Sequence, residues 1–215
     1  MKKRAAVIIL CFCLFNVYAL TYDLSLGHRK AVVFDTFIYP QISVRSEHLS
    51  TEFRLLGTDQ ADLLFTYASY GKHFGFETGF HSQTVGFESL SLSPFADVTY
   101  TQEFAFTRLR LELGVQLSVL KTKYIKQFMF AVMPVFSAEL EMTISNFVVS
   151  VYIDDHTIND MAWRNYPVAG ARLTYIFNPS LRIYAEAWAR ATEYLVDNWL
   201  MISSTGIRFG VRFER

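Results

Sequence analysis

Cysteine is nearly absent from this chain of 215 residues, and both copies, Cys11 and Cys13, lie close to its start. We expect residues 1–19 to be a secretory signal peptide, because a basic start and a short apolar run lead to the small-residue site Val17-Tyr18-Ala19. Cleavage after Ala19 would remove both thiols. Disulfides and cysteine chemistry are therefore excluded from the mature chain.

Charge and long apolar runs are also scarce. Charged residues make up 19% of the chain, hydrophobic residues make up 52%, and the formal net charge is zero. This balance provides no basic patch for nucleic acid. No run of about 18 apolar residues follows the signal peptide, and the longest candidate, 128–138, contains Pro134. A transmembrane helix is therefore not expected, and the hydrophobic residues must be distributed in another way.

Alternation with a period of two is the clearest pattern in the chain. Between Leu109 and Val119, apolar residues alternate with Arg110, Glu112 and small polar residues. Successive side chains of a strand point to opposite faces, so one face suits lipid and the other suits a polar lumen. The length of this segment matches a tilted membrane strand of about 9–11 residues better than a soluble strand of about 5–6.

Turn signals divide the chain into twelve candidate strands. Asn178-Pro179-Ser180 separates 166–177 from 181–192, although the alanines of the second segment also fit a helix. The breaks near Thr107 and Ser137 are weak, so the sequence predicts eight to twelve strands. An even number places both termini on one side, which we expect to be the periplasm.

The connections between these strands predict an asymmetry between the two ends of the molecule. We expect short periplasmic turns and longer external segments. The predicted turns are 45–48, 70–72 and 178–180, and the predicted external segments are 82–94, 154–165 and 193–200. Aromatic residues near the strand ends predict a girdle at the membrane interface, namely Trp163, Tyr166, Tyr194 and Trp199.

With this signal peptide, this alternation and the closing stretch 206–213, the chain resembles the small bacterial outer-membrane β-barrel proteins. The resemblance implies an all-β, antiparallel, up-and-down transmembrane barrel in which residues 20–215 form one domain. It also implies a location among outer-membrane lipid and insertion by the barrel assembly machinery. Proteins of this class usually end in an aromatic residue; here Phe213 precedes Glu214 and Arg215. The expected assembly signal is Phe209, Val211 and Phe213.

Ten charged residues are expected to face the lumen, because a charge on the lipid face costs about 2–4 kcal/mol at mid-depth. They are Arg110, Glu112, Glu139, Glu141, Arg172, Arg182, Glu186, Arg190, Arg208 and Arg212. The last strands supply five of these arginines against Glu186 alone, which favours anionic solutes. The same charges could instead pair across strands and fill a narrow barrel.

The leading prediction is therefore a narrow pore for passive transport of small solutes, anions among them. The main alternative is a plugged structural barrel or adhesin that displays segments 82–94 and 154–165. A third is a barrel enzyme that hydrolyses or transfers lipid acyl groups, for which the candidate histidines are His48, His73 and His81. We assign no catalytic residue, metal or cofactor. The rival fold is a soluble, secreted β-sandwich, which would also show alternation.

Overall fold

The structure is a computed structural model, and it describes residues 21–31, 37–56, 60–85, 89–121, 127–155, 167–193 and 200–214. Within these ranges the chain forms twelve strands. They are β1 (Thr21–Ala31), β2 (Phe37–Arg45), β3 (Leu49–Leu56), β4 (Gln60–Tyr70), β5 (Phe74–Val85), β6 (Ser89–Glu103), β7 (Thr107–Lys121), β8 (Met129–Ile144), β9 (Phe147–Asp154), β10 (Val168–Asn178), β11 (Leu181–Glu193) and β12 (Leu200–Glu214). No helix in the described residues is long and apolar enough to cross a membrane.

The strands close into a single barrel in which every neighbouring pair is antiparallel and each strand follows its predecessor in the chain. β12 returns to β1, with Thr21 opposite Glu214 and Ala31 opposite Ser204. Closure satisfies the strand edges that an open sheet would expose. The predicted all-β, up-and-down barrel is confirmed, and its twelve strands are the upper limit of the predicted range. Both termini lie at the same end, and their periplasmic location stays a prediction.

Short hairpin turns lie at the end of the barrel that carries the termini. The predicted turns at 45–48, 70–72 and 178–180 are confirmed as the connections β2–β3, β4–β5 and β10–β11. Local hydrogen bonds close them: the Ser46 amide donates to the Leu49 carbonyl at 2.7 Å, and the Ser180 amide donates to the Asn178 side chain at 2.9 Å. The alanine-rich segment after the last of these turns is strand β11, so the helix alternative is wrong.

The predicted break at Ser137 is wrong, although the break before Thr107 is confirmed. β8 runs through Ser137, because outward apolar residues continue on both sides of it, at Phe136 and Ala138, and Ser137 itself pairs with Glu112 of β7. The chain instead reverses at Ser145 and Asn146, between the paired residues Ile144 and Phe147. Ser145 has a φ of 54°, the left-handed value that the first position of many two-residue hairpin turns requires.

The predicted external segment 82–94 is also wrong. Residues 82–85 complete β5 and residues 89–94 begin β6, so only residues 86–88 lie between these strands. The alternation from Ser89 to Ser93 extends the strand past the point where the small polar residues were taken for a loop. Of the other two predicted segments, 154–165 and 193–200, residues 156–165 and 194–199 lie outside the described residues, and so do the aromatics of the predicted girdle.

The outward face of the barrel is apolar along its height. Leu113 on β7 is 67% exposed, and Val132 on β8 is 74% exposed. The next outward residues on both strands are also uncharged. At the end with the short turns, outward aromatics pack in pairs, with ring centroids 5.2 Å apart for Phe74 and Tyr100 and 5.0 Å apart for Phe147 and Tyr175. This arrangement matches an aromatic girdle at a membrane interface.

Candidate functional site

The inward face of the barrel is polar and charged, and it is the candidate functional site. All ten charged residues singled out in the sequence project from inward positions of their strands, alternating with outward apolar residues. Ion pairs divide many of them into separate groups rather than one arginine surface, and the paired members are Arg110, Glu112, Arg172, Arg182, Glu186, Arg208 and Arg212. Their part in selectivity stays a prediction.

A buried carboxylate at mid-height of β11 organises the largest of these groups, called here the Glu186 cluster. The Glu186 side chain is only 2% exposed. Arg172 on β10 donates to its Oε1 at 2.8 Å, Arg208 on β12 forms an ion pair with its Oε2, and the Tyr152 hydroxyl on β9 donates to Oε1 at 2.9 Å. One carboxylate therefore holds two guanidinium groups, which leaves this cluster with a positive charge.

Arg208 extends the Glu186 cluster to the other side of the barrel seam. Its Nη1 donates to Oε1 of Gln41 on β2 at 2.5 Å, across β1. Its guanidinium also lies 5.8 Å from the ring centroid of Tyr184, and that of Arg172 lies 5.4 Å from the same ring. The planar guanidinium donates in several directions at once, so these contacts fix the position of Arg208.

A second group, the Arg110 cluster, lies near the short turns on β4, β5 and β7. Arg110 pairs with Glu77 at 2.6 Å and with Glu112, and its Nη2 donates to the Tyr70 hydroxyl at 2.8 Å. That hydroxyl in turn donates to Glu77 at 2.9 Å. Here one guanidinium holds two carboxylates, which leaves this cluster with a negative charge.

Further ion pairs connect the terminal strands. Arg182 pairs with Glu214 at 2.9 Å, and Arg212 pairs with Asp23 at 3.3 Å. The Tyr184 hydroxyl also donates to Asp23, at 2.7 Å. The sequence argument set the five arginines of the last strands against one acidic residue, Glu186. Asp23 and Glu214 are two further acidic partners of these arginines. The arginine-rich wall is consequently less positive than predicted.

Sequence reasoning also missed a charged pair on β3, where Arg54 binds Glu52 at 2.5 Å. Both residues occupy inward positions between the outward residues Thr51, Phe53 and Leu55. This alternation was present in the sequence. The segment is short, however, and its inward charges were not among the ten residues assigned to the lumen.

Aromatic side chains of the same half of the barrel lie over inward glycines of the neighbouring strand. Trp188 stands opposite Gly206, and Tyr184 stands opposite Gly210. A Cβ placed on Gly206 would approach the Trp188 ring to 2.3 Å, and one on Gly210 would approach the Tyr184 ring to 2.4 Å. These positions require glycine, since any side chain would push the ring into the lumen.

Two cavities lie between lumen side chains of the described residues. The larger has a volume of about 260 Å³ and is lined by strands on both sides of the β12–β1 seam, including Arg29, Arg190 and Glu139. The smaller has a volume of about 140 Å³ and lies beside β3–β7. Arg54 and Asp154 line both cavities, so charged side chains separate the two. The lumen at this level is narrow and polar.

The wall beside the smaller cavity combines charged residues, namely Arg54, Glu77, Asp97, Glu112 and Asp154, with neutral polar side chains on β5–β7. Gln83, Ser93 and Gln116 are at most 1% exposed, and the Ser93 hydroxyl donates to the Ser118 hydroxyl at 3.3 Å. Fixed charge therefore lies on both sides of the lumen, on β10–β12 with β1–β3 and also on β4–β7, where Asp62 and Asp97 are buried.

The described residues show no assembled catalytic group. The His48 and His73 rings each contact a main-chain carbonyl, of Ala68 at 3.1 Å and of Thr101 at 3.3 Å. His81 faces inward, and its neighbour Ser82 occupies the opposite face. Among the described residues, no group of three histidine, cysteine, aspartate or glutamate side chains could hold a metal ion.

Solved structures with the same architecture are those of outer-membrane proteins. The chain is similar to the NanC porin, with a TM-score of 0.60 and 13% identity over 90% of this chain and 100% of that one. It is also similar to the KdgM porin (TM-score 0.52, 14% identity, 89% and 98% covered) and to outer membrane phospholipase A from Escherichia coli (0.50, 13%, 93% and 92%). The chain has the fold of an outer-membrane β-barrel. No family model and no curated protein matches its sequence.

Proposed function

We propose that this outer-membrane β-barrel is a narrow pore for passive diffusion of small solutes, with a modest preference for anions. The observation that carries the proposal is the charged cavity of about 260 Å³ inside a barrel whose outer face is apolar. An apolar exterior suits lipid, and a polar interior suits water and solutes. The likeness to two porins, NanC and KdgM, supports this assignment at the level of fold.

The anion preference rests on the balance of charge around the larger cavity. Five arginines line it, namely Arg29, Arg54, Arg172, Arg190 and Arg208, against the four acids Glu52, Glu139, Asp154 and Glu186. The excess is one positive charge. Such a ring of fixed charge raises the local concentration of anions and lowers that of cations. We therefore expect an anion preference of a few-fold, not strict exclusion of cations.

The proposal includes a route to the membrane. The signal peptide is removed after Ala19, and residues 20–215 form one barrel domain with both termini in the periplasm. The assembly machinery recognises the outward residues Phe209, Val211 and Phe213 of β12, and outer-membrane lipid then surrounds the apolar exterior. Phe209 and Phe213 are 59% and 45% exposed on that exterior, where another protein can reach them.

A plugged structural barrel is the second candidate, because ion pairs join inward side chains of nearby strands in both clusters and occupy part of the lumen. Single-channel recording of the purified chain in a planar bilayer separates the two candidates. A pore gives discrete conductance steps, and Arg208→Gln and Arg212→Gln shift its reversal potential in a KCl gradient toward cations. A plugged barrel is folded and heat-modifiable but silent, and the same substitutions lower its stability without producing selectivity.

A further inference from the structure

One row of inward residues crosses the wall of the larger cavity from β8 to β1. The cross-strand pairs of five successive strand contacts define it. In order, the row contains Glu139, Tyr152, Gly170, Trp188, Gly206 and Arg29. It therefore begins with a carboxylate, passes two aromatic rings that alternate with glycines, and ends with a guanidinium.

The two rings, called here the platform, lie on the same wall of the cavity. A Cβ on Gly170 would approach the Tyr152 ring to 2.5 Å, and one on Gly206 would approach the Trp188 ring to 2.3 Å. Each ring therefore lies against a bare stretch of backbone. Both rings also line the larger cavity, so they offer surface to a molecule within it.

The two ends of the platform carry opposite charges. Glu139 lines the cavity at one end, and its cross-strand neighbour Arg110 is bound to Glu77 and Glu112. At the other end, Arg29 is joined on the cavity wall by Arg190. Five strand spacings of about 4.8 Å separate β8 from β1 along the wall, roughly 24 Å of arc. Glu139 and Arg29 therefore stand at opposite ends of the row, one on each side of the platform.

We propose that this row is a binding site for a compact zwitterion within the pore. The carboxylate of the ligand contacts Arg29 and Arg190, and its ammonium group lies over Trp188 and Tyr152 on the side of Glu139. Arginine presents a planar fork to a carboxylate, and aromatic faces attract an ammonium group. The cavity has the liquid volume of about nine water molecules, which suits a ligand of this size. This site deepens the proposed function, on which it rests.

Occlusion of the ion current by glycine betaine tests the site in the full-length protein. Betaine added to a planar bilayer at low salt is expected to interrupt single-channel currents. Its apparent affinity should exceed that of acetate or tetramethylammonium about tenfold, since each of those ions satisfies one end only. Equal block by acetate and betaine would overturn the proposal.

Matched variants assign the block to the row. Glu139→Gln is expected to weaken betaine block about tenfold, whereas Glu141→Gln, an inward residue on the same strand outside the cavity lining, should leave it unchanged. Arg29→Gln should weaken betaine block to a similar extent. Its control is Arg182→Gln, because Arg182 is an inward arginine outside the cavity lining. If Glu139→Gln and Glu141→Gln behave alike while both variants remain heat-modifiable, the proposed site is wrong.

Calorimetric titration of the detergent-solubilised barrel with betaine keeps the two proposals distinguishable. A conducting barrel that binds no betaine overturns the zwitterion site and leaves the pore intact. A silent barrel that binds betaine, with affinity lost in Glu139→Gln, supports the site and overturns the pore. A silent barrel that binds none overturns both.

Discussion

The Glu186 and Arg110 clusters contain the same kinds of group in opposite proportions. On β9–β12, one carboxylate holds two guanidinium groups and one tyrosine hydroxyl. On β4–β7, one guanidinium holds two carboxylates and one tyrosine hydroxyl. The net charges of the two clusters are thus opposite and cancel when summed, the positive cluster lying on β9–β12 and the negative one on β4–β7. Total charge alone would hide this separation.

The central residues of the two clusters, Glu186 and Arg110, also differ in their exposure to solvent. The Glu186 side chain is 2% exposed, whereas that of Arg110 is 22% exposed and lies near the short turns. Water screens charges that it reaches and leaves buried charges to interact strongly. The Glu186 cluster should therefore contribute more to stability, and the two clusters should shift ion selectivity in opposite directions.

The largest effect is expected for Glu186→Gln, which leaves Arg172 and Arg208 without their carboxylate. Removing one partner of a buried ion pair costs about 3–5 kcal/mol. We expect a lower unfolding midpoint in denaturant and a reversal potential shifted toward anions. Glu141→Gln is the control, because this inward residue on β8 lies outside the cluster. Equal midpoints for the two variants would contradict the structural importance of Glu186.

A smaller effect of opposite electrical sign is expected for Arg110→Gln. It leaves Glu77 and Glu112 without a cation in a partly solvated position, at a cost of about 1–3 kcal/mol. Bilayer recording in a KCl gradient should show a reversal potential shifted toward cations. Arg108→Gln, two residues earlier on the same face of β7, should shift it less. A shift toward anions would refute the assignment of negative potential to this cluster.

The tyrosines permit a finer comparison. Tyr152→Phe removes one hydrogen bond to a carboxylate that is almost fully buried, for an expected loss of about 1.5–3 kcal/mol. Tyr70→Phe removes a hydroxyl from a residue that is 49% exposed, so water replaces it and the loss should be smaller. Chemical unfolding of both variants in the same detergent measures the difference. The reverse order would show that burial does not govern these clusters.

The smallest effect is expected for Arg182→Gln. Its ion pair with Glu214 leaves 32% and 30% of the two side chains exposed, next to the terminus of β12. Exposed pairs of this kind contribute at most about 1 kcal/mol. The unfolding midpoint should stay near that of the unaltered protein, while Arg208→Gln lowers it clearly. If Arg182→Gln lowered the midpoint as much as Arg208→Gln, the exposed ion pair at the end of β12 would be as important for stability as the buried one.

The sequence predicted the barrel because alternation reports directly on which face a side chain occupies. Segment 109–119 alone distinguished the lipid face from the lumen, and the strand count followed from turn residues. The turn at Ser145-Asn146 was missed because Ser137 appeared to be a break in one continuous apolar segment. The alternation through Ser137 could have corrected this, since it continues into Glu139 and Glu141.

The pairing of charges could not be predicted in the same way. Arg208 meets Gln41, and Tyr184 meets Asp23, only because β12 closes against β1. Closure joins residues from opposite ends of the chain, and its register is invisible in either strand alone. For the same reason, the aromatic row over Gly170 and Gly206 appears only once the strands are aligned.

The reversal potential of single channels in a KCl gradient tests the central claim most directly. For the unaltered protein we predict discrete conductance steps and a modest anion preference, which increases in Glu186→Gln and falls in Arg110→Gln. A folded, heat-modifiable barrel that produces no steps in the bilayer would contradict the claim that this charged lumen conducts.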